Sequence, residues 1–388
     1  MNKNTPLVYL EISRKNLIHN FKALKKLTKK GTKVAVAIKG NAYGHGQNIV
    51  AKILDLHVDY FFVNSVEELE LLRKVSKKRT FVLGYVPKDD LTKALKLKPI
   101  LSFFSILHLR EINKVAGKLK IKQEVHLPID ACLGREGFLE HELVQVFKEI
   151  KKLPHIKLGG MYAHFANIED TNNFTHAQKQ IKKYDLALSM AKDFGFEIEG
   201  KNGLETHISA TSGLLVYDHD KGINTIVRLG VGTYGLWPSE HLKFLYTKKE
   251  NKKSFTLKPV LSWKSKVAQI KTLEAGHTIG YGLTYMTHAP TKIAVVPQGY
   301  ADGYPRSLSS KSFVLIKGTR CKVLGRVSMN MTVVDVTHLK NIKIEDDVVL
   351  LGKQGREEIT AEELAELSDT INYEVTTRIS ALLPRFLN

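Results

Sequence analysis

The chain is predicted to be an α/β protein, with a (β/α)8 TIM-type barrel over residues 1–245 followed by a β-rich C-terminal domain over residues 246–388. Three observations predict it. Eight short apolar runs alternate with longer amphipathic segments between residues 33 and 231. After residue 245 the rhythm changes to strand after strand, separated by turn residues. The length of 388 residues exceeds one ordinary domain, and 43% hydrophobic content supplies a core for each of two.

The eight runs are Lys33–Lys39, Tyr60–Asn64, Thr80–Gly84, Ile100–Phe104, Gln123–Asp130, Leu158–His164, Glu205–Ser209 and Thr225–Gly230. Between them lie segments of helical period, such as Val66–Lys74 and Thr175–Leu188. Strand–helix alternation implies a parallel sheet, and eight repeats imply closure into a barrel, with an open doubly wound sheet as the alternative. In the second domain, Lys292–Pro297, Ser312–Gly318 and Met331–Val336 are predicted strands. Thr360–Leu367 reads as a helix with Thr360 as N-cap and Glu363 completing a capping box. The lysine-rich stretch Lys248–Lys253 is the expected linker, and residues 7–13 are expected to pack with the second domain.

The N-terminal residues Met1–Pro6 hold no apolar stretch suited to a signal peptide, and no window reaches the roughly 18 apolar residues of a membrane span. A cytoplasmic protein without a membrane partner is expected. Cys132 and Cys321 form no CxxC or Cys/His pattern, so neither a disulfide framework nor a metal site is expected. Fifty-nine Lys+Arg against 39 Asp+Glu give a net charge of +20, the basis for a nucleic-acid-binding alternative. The lysines are dispersed along helix-like stretches without a recognition motif, so they read as solvent faces and no specific nucleic-acid partner is expected.

The chemistry starts at the end of the first run, in Ala37-Ile-Lys39-Gly-Asn-Ala-Tyr43-Gly-His-Gly46. A lysine at the carboxyl end of a barrel strand stands on the rim where barrel enzymes assemble their sites, and its amine can form a Schiff base with a carbonyl cofactor. The three glycines after it allow close backbone approach to a ligand. From these residues alone, a rim lysine that faces water remains open. The stretch Gly230-Val-Gly232-Thr-Tyr-Gly235 is formally GxGxxG, yet it closes a series of βα units where a dinucleotide fold would open one. In a barrel, the loops after strands seven and eight commonly bind phosphate, and Gly230, Val231 and the Thr211 hydroxyl suit that task.

The stretch Val36–Gly46 closely resembles the cofactor-lysine signature of the alanine racemase family. The likeness continues in order through Gly134–Gly137, Met161–Phe165, Val227–Ser239, Ile279–Tyr285, Gly299–Tyr304, Gly325–Met329 and Ile371–Glu374. It implies pyridoxal 5'-phosphate as cofactor, carried on Lys39, and racemisation of alanine by two bases, Lys39 and Tyr281, one for each face of the substrate α-carbon. It further implies Arg228 against the pyridine nitrogen, His164 linking Tyr281 to Arg228, Tyr43 and Tyr373 at the phosphate, and Arg135 at the cofactor's phenolic oxygen and the substrate carboxylate. Met329 is assigned to substrate binding on the same resemblance. Tyr281 enters the site from a partner subunit in the family, which implies a head-to-tail homodimer. D-Alanine for peptidoglycan synthesis is the implied product.

The match departs at the site. Pro128 stands where the family commonly has a carbamylated lysine that positions the arginine, Ala210-Thr211 replaces an asparagine–serine pair, and Glu169 and Asn330 replace aspartates. Pro128 predicts a local bulge. A chloride ion, ordered water or Asp130 is expected to accompany Arg135 in place of the carbamate. Serine or other small amino acids are alternative substrates. A barrel decarboxylase is disfavoured by Arg228, and a simple cofactor carrier by the second domain and Tyr281.

Overall fold

The computed structural model describes residues 6–169, 171–198, 200, 203–217, 224–248 and 255–388. The first strand, β1 (Tyr9–Ile12), stands apart from the barrel, which is built from β2 (Lys33–Ala37), β3 (Tyr60–Val63), β4 (Arg79–Val82), β5 (Ile100–Ser102), β6 (Gln123–Pro128), β7 (Ile156–Tyr162), β8 (Glu205–His207) and β9 (Ile226–Leu229). All neighbours are parallel, in the order β8-β7-β6-β5-β4-β3-β2-β9. Thr225 N donates to Thr206 O (2.9 Å) and Arg228 N to Ser209 O (3.1 Å), which brings β9 beside β8 and closes the ring. The open doubly wound alternative is thereby excluded. Each of the eight predicted runs coincides with one of these strands; six contain theirs whole, while β4 begins one residue and β7 two residues before the predicted run.

Strands covered on both faces read as continuous apolar runs, and the burial explains why. Val34 and Val36 face the helices, while Ala35 and Ala37 pack inside with Tyr60, Phe62, Phe81, Ile100 and Ile226. The lower interior is polar. β6 and β8 each carry a Glu-x-His pair, Glu124/His126 and Glu205/His207, on either side of Gly160 in β7. A Cβ on Gly160 would stand 2.3 Å from the Glu205 carbonyl oxygen and from the His126 ring, so only glycine admits this layer. Lys33 and Arg79 neutralise the carboxylates, each at 2.6 Å, and His126 Nδ1 lies 3.0 Å from His207 Nε2. The bulge expected at Pro128 lies elsewhere: Pro128 pairs regularly with Tyr162, and the register shifts between Val125 and His126, where Gly159 is passed over. Gly159 carries no Cβ to resist that shift, whereas Pro128, at the end of β6, still offers its carbonyl to Phe138 N (2.9 Å).

The C-terminal part adds β10 (Leu261–Lys266), β11 (Gln269–Leu273), β12 (Thr278–Ile279), β13 (Tyr285–Met286), β14 (Thr291–Val296), β15 (Phe313–Ile316), β16 (Thr319–Lys322), β17 (Thr332–Asp335), β18 (Asp347–Gln354), β19 (Glu357–Ile359) and β20 (Arg385–Leu387). Its main sheet runs β16-β15-β18-β10-β1-β20, with β19 on β18, so β1 belongs to it, antiparallel to β10 and parallel to β20. The predicted helix is Ala361–Leu367, and the Thr360 side chain accepts from Glu363 N (3.0 Å). The capping box is only half made, because Arg320 draws the Glu363 carboxylate away (2.5 and 2.9 Å). The expected linker falls at Lys248, the last residue of helix Glu240–Lys248, and at residues 249–253, which lie outside the described residues.

Candidate active site

Side chains two apart on a strand share a face, so each interior column of the barrel points its last members into the C-terminal mouth. Ala37 is followed by Lys39, Phe62 by Asn64, Tyr162 by His164, and Arg228 by Gly230. All of these line one cavity of about 380 Å³, together with Tyr43, Arg135 and Glu136. A second cavity of about 330 Å³ adjoins it, sharing Tyr43, Arg135, His164, Ala210 and Gly230, and adding Thr211, Val231, Glu169 and Tyr373.

Lys39 opens a tight turn in which Gly40, Asn41, Ala42, Tyr43 and Gly44 all have positive φ, between 52° and 84°. Such a left-handed turn is costly for non-glycine residues and needs outside support. Glu68 supplies it at the start by accepting from Gly40 N (2.7 Å), and the Asn41 side chain accepts from Gln47 N (2.9 Å). Arg385 donates to Gly44 O (2.9 Å) at the end. The glycines here serve the chain more than a ligand: a Cβ on Gly44 would lie 1.9 Å from the Thr376 carbonyl oxygen. Burial, with Arg135 and Arg228 nearby, lowers the Lys39 pKa and favours its neutral, nucleophilic amine.

Arg228 is buried, and burial lowers its pKa to about 10, with Tyr162 opposing. It therefore remains a cation at neutral pH. Its Nη2 donates to Ala163 O (2.6 Å) and Ile208 O (2.9 Å) and lies 3.3 Å from His164 Nδ1. Since guanidinium only donates, Nδ1 accepts, and the proton of neutral His164 sits on Nε2. Burial, Arg228 and Arg135 push the His164 pKa down to about 3. Among the described residues, Arg228 Nε is buried without a hydrogen-bond partner. An orphaned donor of this kind asks for an acceptor from a ligand.

Thr211 Oγ1 accepts from Gly230 N (3.0 Å), and a Cβ on Gly230 would fall 3.1 Å from the Tyr43 hydroxyl. The Tyr43 and Tyr373 rings lie 6.1 Å apart beside this pocket. Two hydroxyls and side-chain-free backbone thus converge where an anionic group of a ligand can enter. The orphaned Arg228 donor, the Lys39 amine with its lowered pKa and this cradle fit pyridoxal 5'-phosphate.

Every predicted barrel residue lines one or both cavities: Lys39, Tyr43, Arg135, His164, Thr211, Arg228, Gly230, Val231 and, from the C-terminal part, Tyr373. Tyr281 and Met329 line neither; they are 72% and 56% exposed on the β-rich part. Asp130 does not accompany Arg135, because its carboxylate caps Leu133 N and Gly134 N at 2.9 and 3.0 Å. Glu136, missed in the sequence, pairs with Arg135 instead. Tyr162 was missed too, although its place two residues before His164 on one strand face was a usable signal; Arg228 lies 5.6 Å from its ring centroid. Glu169, one of the departures, accepts from Ser212 Oγ (2.5 Å).

The chain matches the family models "Alanine racemase, N-terminal domain" over residues 12–238 and "Alanine racemase, C-terminal domain" over residues 260–387. It is 34% identical to an alanine racemase of Leptospira interrogans, covering 99% of this chain and 97% of the relative. It is 36% identical to that of Symbiobacterium thermophilum, covering 95% and 93%. Among solved structures, an alanine racemase of Clostridium difficile 630 superposes with a TM-score of 0.89 at 32% identity, covering 100% and 97%. One from Bacillus anthracis with bound L-Ala-P gives 0.90 at 31%, covering 99% and 96%.

Proposed function

Because the chain belongs to the alanine racemase family, we propose that it interconverts L- and D-alanine with pyridoxal 5'-phosphate and two bases, Lys39 and Tyr281. The observation that carries this reading is one cavity holding a lysine shifted toward its neutral form together with a buried arginine whose Nε lacks a partner among the described residues. Lys39 would hold the cofactor, Arg228 would face its ring nitrogen, and Tyr43, Thr211, Gly230, Val231 and Tyr373 would receive its phosphate. When bound, the cofactor makes the substrate's α-proton acidic by drawing electrons from the α-carbon.

The protein's own part is proton traffic and orientation. The Lys39 amine takes or returns the α-proton on one face, and the Tyr281 hydroxyl serves the other. Arg228, a cation held by two carbonyl groups, would donate to the ring nitrogen without giving up its proton, and so would restrain electron withdrawal and favour return of the proton over competing reactions. His164, neutral and acceptor toward Arg228, presents its Nε2–H to the incoming tyrosine. Arg135 would hold the substrate carboxylate, with Met329 beside the substrate.

Tyr281 and Met329 stand exposed and outside the cavities, so a second copy of the chain is the source of both groups, and a homodimer with shared sites is the assembly that completes the reaction. We place the division between barrel and β-rich domain at residues 245 and 246; the two family matches end at 238 and begin at 260, on either side of it. Cytoplasmic supply of D-alanine for peptidoglycan is the corresponding role. Among the described residues no helix is long and apolar enough to cross a membrane.

Purified protein treated with borohydride should carry the reduced cofactor on Lys39, and untreated protein should racemise single L-amino acids, alanine fastest, by chiral analysis of the products. An adduct on a different lysine, or none, would remove Lys39 from this role. Faster turnover of serine would move the substrate assignment.

A further inference from the structure

Resting on the reading of this cavity as the racemase site, we propose that Glu136 is the positioning residue that holds the Arg135 guanidinium for a substrate carboxylate. Arg135 follows β6 on a loop, and its side chain is 60% exposed, so packing alone does not fix a group with this many rotatable bonds. Its ion pair is with Glu136: Nε and Nη2 meet the two carboxylate oxygens, Nη2 at 2.7 Å from Oε1. A fork-to-fork pair fixes the plane of the guanidinium as well as its place.

Asp130 and Pro128, the two positions the sequence set beside Arg135, do not compete for this task. Asp130 is engaged by the Leu133 and Gly134 N–H groups, and Pro128, on the interior face of β6, offers no charge. Glu136 is also well anchored. Its loop returns to the strand through Phe138 N to Pro128 O (2.9 Å) and Asp130 N to Phe138 O (3.1 Å), and its side chain is only 25% exposed. Burial alone would raise its pKa, but the Arg135 pair brings it below the usual value, so it is an anion at neutral pH.

The fork leaves one edge of Arg135 over. Among the described residues Nη1 makes no hydrogen bond, and Arg135 and Lys39 line the same cavity. An α-amino acid with its amine directed to Lys39 would present its carboxylate to that remaining edge. Glu136 does not touch the substrate in this arrangement; it acts through Arg135.

The test uses the holoenzyme with Glu136→Gln, Glu136→Leu and Glu136→Asp. For Gln and Leu, the KM for L-alanine should rise about tenfold while kcat changes much less, because a carboxylate contact and not the proton transfer is loosened. Calorimetric affinity for propionate, a carboxylate without the amine, should fall by a similar factor, and Glu136→Asp should keep most of both. Cofactor content and melting temperature should stay at wild-type values. Unchanged KM and propionate affinity in both variants would overturn the proposal. So would loss of cofactor or of folding in both, which would assign Glu136 to the scaffold. If the wild type racemises no amino acid, the functional reading fails separately, while propionate binding still reports on Glu136.

Discussion

The ring of His45 is buried 4.5 Å from that of Tyr234, with Nδ1 at 3.1 and 2.9 Å from the carbonyl oxygens of Ala42 and Tyr43. Carbonyl oxygens only accept, so Nδ1 carries the hydrogen, and this one N–H holds two residues of the turn behind Lys39. Burial lowers the His45 pKa to about 4, against the opposing pull of the two carbonyls. Its folded pKa thus lies below its unfolded one, the unfolded chain binds the extra proton in between, and stability is lost as pH falls from about 6.5 toward 4. Between pH 7 and 5 this group should remove roughly 2 kcal/mol from the urea unfolding free energy. His45→Asn, which keeps an N–H donor but does not titrate, should show a correspondingly smaller loss, and an identical loss would refute the assignment. At this scale the sequence was legible where the family resemblance spoke, at Lys39, Arg228 and His164. It was silent on Glu136, since adjacent residues ordinarily point apart and nothing in the spacing marks 135 and 136 as a pair.

The eight barrel strands were legible because burial on both faces demands unbroken apolar runs, as in Tyr60–Val63. Their ends were less so: Lys39 and His164 lie beyond the last paired residues, Ala37 and Tyr162, where the chain leaves the sheet to build the site. The left-handed turn was not legible at all. Ala42 and Tyr43 have no intrinsic preference for positive φ, and their conformation is imposed by contacts with Glu68, Gln47 and Arg385, distant in sequence or carried on other elements. Gly44 is where that imposition is tightest, with φ of 84° and the Thr376 carbonyl in its Cβ position. Gly44→Ala should cost about 2 kcal/mol or more, seen as a lower melting temperature, and should reduce cofactor occupancy because Lys39 and Tyr43 ride on the same turn. A variant that melts and binds cofactor like the wild type would show that the C-terminal helix Asn372–Thr377 yields freely.

A single copy of the chain holds Lys39 in its cavity and Tyr281 on an exposed surface, and the proposal that a second copy supplies the tyrosine has a direct test. Tyr281→Phe should depress racemisation in both directions while the cofactor stays on Lys39, and Lys39→Ala should be inactive. Co-expressed, the two variants should recover about a quarter of wild-type activity, since half of randomly assorted dimers are mixed and each mixed dimer has one intact site. No recovery, with mixed dimers present on a native gel, would place both bases in one chain. The β-rich sheet adds a different consequence at this scale. β1 is bracketed by β10 and β20, partners that lie some 250 and 375 residues further along. At a synthesis rate of about 5–20 residues per second, the earliest strand to leave the ribosome waits roughly 12–50 s for its first neighbour and longer for its second. Through that interval the barrel can form, but the Tyr9–Ile12 segment has an apolar face with no sheet to join, a window in which a chaperone or a neighbouring nascent chain competes for it.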